Sequence, residues 1–267
     1  MLASGAWQVL AGGTDLYPAQ VGRPLAAPLL DITAIAGLRG IRRVGEVWSI
    51  GAATPWSDVI RADLPPRLHA LQQAAREVGG AQIQNAGTVA GNLCNASPAA
   101  DGTPVLMAAG AVVVLRSTAG ERRLPVVDFV LGSRRTARGP QELVVAIEIP
   151  VGGERACSAF VKLGGRRFLT ISMTMVAVVL DAGRDGTIGA AGIAVGSCSA
   201  VARRLPGLEA KLRGRTLASP LAAAVDAADL APLAPLDDLR ASAAYRLEAT
   251  ATLLRRTLAG LSARPPP

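Results

Sequence analysis

The sequence predicts an α+β fold built in two units, and three observations predict it. In the first half, short apolar runs of strand character alternate with glycine and proline, with one clear amphipathic helix among them. At Ile149-Pro150-Val151-Gly152-Gly153 a proline and two glycines follow a finished strand. Beyond that break come two long β-like runs and then helical patterns, which is the order of a sheet backed by helices.

Element by element, WQVLA (7–11) is a strand stopped by Gly12-Gly13, and LLDI (29–32) and VWSIGA (47–52) are strands. Thr54-Pro55 before WSDVI has the form of an N-cap and N1 proline opening a short helix. RLHALQQAAREVGG (67–80) places Leu68, Leu71, Ala74, Ala75 and Val78 at helical spacing, and Gly79-Gly80 ends it. GTVAGNLCNASPAADGTP (87–104) has almost no bulk and is expected as a loop. AVVVLR (111–116) and LVVAIEI (143–149) complete the strands of this half. In the second half, ISMTMVAVVLD (171–181) and TIGAAGIAVGS (187–197) are strands joined by the turn AGRDG (182–186). LPGLEAKLRG (205–214), a segment around 219–230 and an amphipathic stretch from about Asp238 to Leu258 are helical. The closing RPPP cannot continue a helix.

Composition bounds the function. Half of the 267 residues are hydrophobic and 18% are charged, so the chain folds and buries a sizeable core. No apolar run approaches the roughly 18 residues of a membrane span. The start, MLASGAWQVLAGG, lacks the basic and apolar regions of an export signal. Cys94, Cys157 and Cys198 are odd in number and far apart, which suits reduced thiols; a cytoplasmic location is the expectation. The net charge of +8 invites a nucleic-acid reading. Only Lys162 and Lys211 among the 28 basic residues are lysine, however, and the arginines are spread along the chain without interleaved aromatics. An arginine-rich solvated surface is favoured, although its field still helps to attract an acidic partner or anionic cofactor.

The missing chemistry is informative too. His69, the one histidine, lies in a leucine- and alanine-rich helical segment and is expected to be structural; it leaves no Ser-His-Asp triad or histidine-rich metal site. There is no CxxC pair for an iron–sulfur cluster or zinc, no GxxxxGK[ST] phosphate loop and no dinucleotide GxGxxG. No side chain is singled out as catalytic and none as a metal ligand. Any chemistry here must be carried by a cofactor.

AGGTDLYP (11–18) and the stretch from Gly87 share a composition. Each sets glycines beside hydroxyl or amide side chains, Thr14 and Asp15 in one, Thr88 and Asn92 in the other. Glycines let the backbone approach a ligand closely, and consecutive N–H groups in such turns form anion-binding concavities that hold a pyrophosphate without lysine or arginine. Taken singly, each is equally a tight turn between strands.

Taken together they resemble a known family: the FAD-binding subunits of molybdenum hydroxylases, namely the medium subunit of carbon monoxide dehydrogenase and the flavin domain of xanthine dehydrogenase. The similarity runs through AGGTDL (11–16), TVAGNLCNASPAADGTPVLMAAGA (88–111), ELVVAIEIP (142–150), SAFVKLGGRRFLTIS (158–172) and LDDLRASAAYRLEATATLLRR (236–256). It implies a PCMH-type FAD-binding domain of two α+β subdomains over 1–152, N-terminally shortened. A sheet-plus-helices domain of the CO dehydrogenase flavoprotein type follows over 153–267.

The resemblance also implies site residues. Val9, Leu10, Ala11, Gly12, Gly13, Thr14 and Asp15 would hold the FAD pyrophosphate through backbone amides. Thr88, Val89, Ala90, Gly91 and Asn92 would form the second wall, with Asn95 and Ser97 nearby. Asp101 would hydrogen-bond the cofactor's polar part, Val144 would contact it, and Lys162 would lie close to the flavin. Lys162 has a second reading as an exposed strand-end lysine, although a lysine in so arginine-rich a chain suggests that a compact ammonium was wanted. The implied function is electron transfer from an iron–sulfur small subunit, fed by a molybdopterin large subunit, through FAD to NAD⁺ or another acceptor. The assembly would be a heterotrimer or a dimer of heterotrimers, with no nucleic acid and no membrane.

Three departures stand out. The family's helix-bearing segment before the first glycine loop is shortened, Ala90 replaces a usual glycine, and Ala241 replaces another after the closing arginine. A standalone flavin oxidase of the vanillyl-alcohol type and a flavin-free assembly subunit are the alternative readings, and a nucleic-acid module is the third.

Overall fold

A computed structural model describes residues 2–167 and 169–263; Met1 and the predicted RPPP terminator lie outside them. The chain opens with β1 (Gln8–Leu10), a short helix α1 (Leu16–Ala19) and β2 (Leu29–Asp31), which pairs in parallel with β1. A five-stranded antiparallel sheet follows from β3 (Ile41–Val44), β4 (Val47–Gly51), β5 (Val112–Ser117), β6 (Gly120–Pro125) and β9 (Leu143–Pro150), ordered β3-β4-β9-β5-β6. Between β4 and β5 run helices α2 (Trp56–Arg61), α3 (His69–Glu77), α4 (Ala81–Ala86), α5 (Val89–Asn95) and α6 (Gly102–Ala108). A four-residue helix α7 (Val126–Phe129) and the hairpin β7 (Val130–Gly132) and β8 (Arg135–Thr136) precede β9.

The second half forms another antiparallel sheet, β10 (Cys157–Leu163), β11 (Thr174–Ala182), β12 (Ile188–Gly196) and β13 (Arg203–Arg204), with α8 (Pro206–Leu212) and α9 (Ala243–Ala263). The uninterrupted apolar run in β11 has a physical reason. Met175, Ala177 and Val179 pack into a core shared with Leu71, Ala74 and Leu106 of α3 and α6. Val176, Val178 and Leu180 face a second core with Leu208 and Leu212 of α8 and Leu254 and Leu258 of α9. A strand covered on both faces has no reason to alternate with polar residues. The helices of the first half therefore cover one face of the second sheet, and the larger core crosses the Pro150–Gly153 break.

Several expectations change. The stretch 87–104 is mostly helical, not a loop: α5 is capped by Thr88, whose hydroxyl accepts from Gly91 N–H at 3.0 Å, and α6 is buried along its whole length. Its residues are small because the helices pack tightly; a Cβ on Gly102 would lie 2.6 Å from the Trp56 ring. Thr54 does not cap α2, because its hydroxyl exchanges hydrogen bonds with the Gly40 backbone. The 67–80 helix is shorter, running over α3 after a 3₁₀ turn, with exposed His69 as its first residue. The segment around 219–230 forms two 3₁₀ turns, 221–224 and 227–230. Helix α9 begins at Ala243, because Asp238 folds the preceding chain around its carboxylate through the N–H groups of Arg240 and Ala241.

Candidate functional site

A cleft of about 1280 Å³ opens where β1 and its following turn meet α5 and the β7–β9 region. That exceeds the roughly 300–1,000 Å³ of ordinary small-ligand sites and is the scale of a dinucleotide. Val9, Leu10, Ala11, Gly12, Gly13, Thr14 and Asp15 all line it, as do Thr88, Ala90, Gly91, Asn92, Asn95 and Val144. Fold topology thus brings together two segments more than seventy residues apart.

Gly12 is the contact point between them. A Cβ there would stand 1.9 Å from the Ala86 carbonyl oxygen and 2.8 Å from Gly87 Cα, so only glycine permits this approach. Gly13 adopts φ +68°, the left-handed conformation that turns successive amides the same way. Among the described residues, the N–H groups of Gly12, Gly13, Thr14 and Asp15 meet no protein acceptor. On the facing wall, Asn92 lines the cleft, while its Oδ1 is turned away from it, buried beside Gly102 without a hydrogen-bond partner. Four adjacent free donors fit a large anionic ligand, which FAD is.

Four expected residues stand outside the lining. Val89 is a core residue of α5, and the Ser97 hydroxyl caps its own turn by accepting from Ala99 N–H at 3.3 Å. Lys162 donates to both carboxylate oxygens of Asp101 at 3.0 Å and to the Glu77 carbonyl at 3.3 Å. The two side chains are 5% and 10% exposed, which rules out the exposed strand-end lysine. Burial pushes the Asp101 carboxyl up to about 6 despite the ammonium beside it. Ala90 lies inside α5 without positive φ, so its methyl group needs no strained backbone. Ala241 likewise has no positive φ.

Arg134, Thr136, Arg138 and Leu143 also line the cleft, as does Cys94, whose thiol burial raises to about 11. Nothing in composition or spacing singles these out; only the fold carries the β7–β8 hairpin to this place. Arg138 is held by the carbonyls of Gly139 and Glu142. Arg134 contacts Asn95 Oδ1 and lies 3.6 Å from Asp15 Oδ1.

Residues 1–152 match the family described as the FAD binding domain in molybdopterin dehydrogenase, and residues 159–261 match the CO dehydrogenase flavoprotein C-terminal domain. The carbon monoxide dehydrogenase medium chain of Hydrogenophaga pseudoflava is 30% identical over 260 residues, covering 96% of this chain and 90% of that one. The nicotine 6-hydroxylase medium subunit of Paenarthrobacter nicotinovorans is 29% identical, with 96% and 90% covered. Among solved structures, carbon monoxide dehydrogenase from Hydrogenophaga pseudoflava superposes with TM-score 0.86 at 29% identity, over 99% of this chain and 93% of that one. The chain belongs to the FAD-binding subunits of the molybdenum hydroxylase family, an oxidoreductase subunit with FAD as its cofactor.

Proposed function

We propose that this chain carries electrons within a multi-subunit molybdenum hydroxylase, from an iron–sulfur partner to NAD⁺ or another acceptor, in the cytoplasm. The observation that carries this reading is the cleft itself: two side-chain-poor walls, free amides and no paired acid and base. The charged side chains along it are Asp15, Arg134 and Arg138. Such a site binds and orients a redox group and does little proton chemistry of its own. FAD, when bound, supplies the capacity to accept electrons singly and release them in pairs.

In this proposal residues 1–152 hold the cofactor and residues 153–267 back them. The amides of Gly12 to Asp15 would bind the pyrophosphate, the Asn92 side-chain amide would hydrogen-bond the cofactor, and Thr88, Ala90, Gly91 and Val144 would exclude water. Asp101 and Lys162 act one layer behind, as a paired support. Among the described residues no cluster of three or more His, Cys, Asp or Glu side chains is placed to hold a metal ion; in this proposal the metal centres belong to partner chains, in keeping with relatives named as medium subunits. No described helix is long and apolar enough to cross a membrane. The flavin-free alternative drew on the shortened N-terminus and on Ala90, and the unstrained helical position of Ala90 removes the second of these grounds.

The test is to purify the chain with the partners it assembles with, record the visible spectrum and add the partner's reducing substrate. A yellow complex whose flavin absorption bleaches is expected. A complex that takes up no FAD, or whose flavin stays oxidised while the metal centres reduce, contradicts the proposal.

A further inference from the structure

Arg134 occupies an unfavourable place. It is the second residue of the two-residue connection Ser133–Arg134 between β7 and β8, and its φ is +58°. Glycine or asparagine normally fills a left-handed turn position, because a side chain there costs energy. Strain of this kind persists only where surrounding contacts hold it, and such residues gather at ligand sites. Here its N–H donates to the Ala96 carbonyl at 2.9 Å, and Ala96, the C-cap of α5, is itself left-handed at φ +47°. Two strained residues joined by a hydrogen bond thus fix where the Arg134 side chain starts.

That side chain reaches two groups of the cleft, the Asn95 side-chain oxygen and, at 3.6 Å, the Asp15 carboxylate. Asp15 ends the run of free amides. An unneutralised carboxylate there would repel any anion that those amides attract. Arg138, the other cation of the lining, donates to backbone carbonyls, and no acidic side chain lies within ion-pair distance of it among the described residues.

We infer that Arg134 is a positioning residue that neutralises Asp15, and so permits the Gly12–Asp15 amides to accept the doubly charged pyrophosphate of FAD. The inference rests on the proposed cofactor placement and adds an electrostatic role that the glycine turn alone does not have. Removing the arginine would leave one uncompensated negative charge beside a dianion, expected to weaken binding about tenfold at low salt and less at high salt.

The test uses the full-length chain freed of flavin, titrated with FAD by quenching of flavin fluorescence, with melting temperature followed in parallel. Arg134→Gly relieves the backbone strain, so it should melt no lower than the unaltered chain yet bind FAD about tenfold more weakly. Adding Asp15→Asn to that variant should recover most of the loss, since it removes the charge that Arg134 opposed. Unchanged binding in Arg134→Gly overturns the inference. A loss that Asp15→Asn does not recover also overturns it, and makes Arg134 a mechanical tie between hairpin and helix. Gly12→Ala, which drives a methyl group into the Ala86 carbonyl, tests the cofactor placement separately. Undiminished FAD binding in that variant would sink the placement, whatever Arg134 does.

Discussion

Replacing Lys162 by methionine removes one half of a nearly dry ion pair and leaves the other half in place. The Asp101 carboxylate has lost most of its water, and its direct cationic partner, Lys162, touches both oxygens at 3.0 Å. The rise of the Asp101 carboxyl from an ordinary 3.8 to about 6, with the lysine present, corresponds to about 3 kcal/mol of burial cost in excess of attraction. Breaking such a pair from one side costs about 3–5 kcal/mol in comparable proteins. For a chain of this size that is a drop in melting temperature on the order of 10 °C at pH 8. The sign with pH follows from the raised carboxyl. Its protonated form is the one the fold prefers, so this group's contribution is full below about pH 4 and is lost as pH rises through about 6. Lys162→Met should therefore lie closer to the unaltered chain at pH 5 than at pH 8. Adding Asp101→Asn should recover much of the pH 8 loss. Denaturant melts at the two pH values decide the matter. A single variant as stable as the parent at pH 8, or a double variant no better than the single, refutes the reasoning.

Two further outcomes are expected. Asn92→Leu removes a buried oxygen that has no partner, so the FAD-free chain should be as stable or more stable while FAD binding weakens at least tenfold, read by denaturation and flavin titration. The Asp238 carboxyl is held down to about 2, chiefly by the Arg240 N–H and also by Arg246, so its contribution is present above about pH 4 and lost as pH falls towards 2. Asp238→Asn should flatten the acid limb of the stability profile, and an unchanged limb would remove Asp238 from that role.

How much was legible in the sequence differs between fold and site. The strands β5, β9 and β11 follow from runs rich in β-branched residues, β4 and β12 from short apolar runs bounded by turn residues, and the glycine turn at 11–15 from its composition. The helices α5 and α6 do not, because Gly91, Asn92, Asn95 and Gly102 have poor intrinsic helix propensity, and burial of both helices in the larger core, with Gly102 against Trp56, overrides it. The pairing of Asp101 with Lys162 joins residues 61 apart, and the position of Arg134 depends on a hairpin between β6 and β9. Neither leaves a local pattern. Resemblance pointed to Asp101 and Lys162 but not to their mutual burial.

The central claim is that FAD lies between the turn after β1 and the start of α5. Irradiating the full-length chain with an azido-substituted FAD, then identifying the labelled peptides, tests it directly. Labels within 7–16 and 87–95, suppressed by excess FAD, are the predicted result. Labels confined to other peptides, or indifferent to competing FAD, would contradict the account.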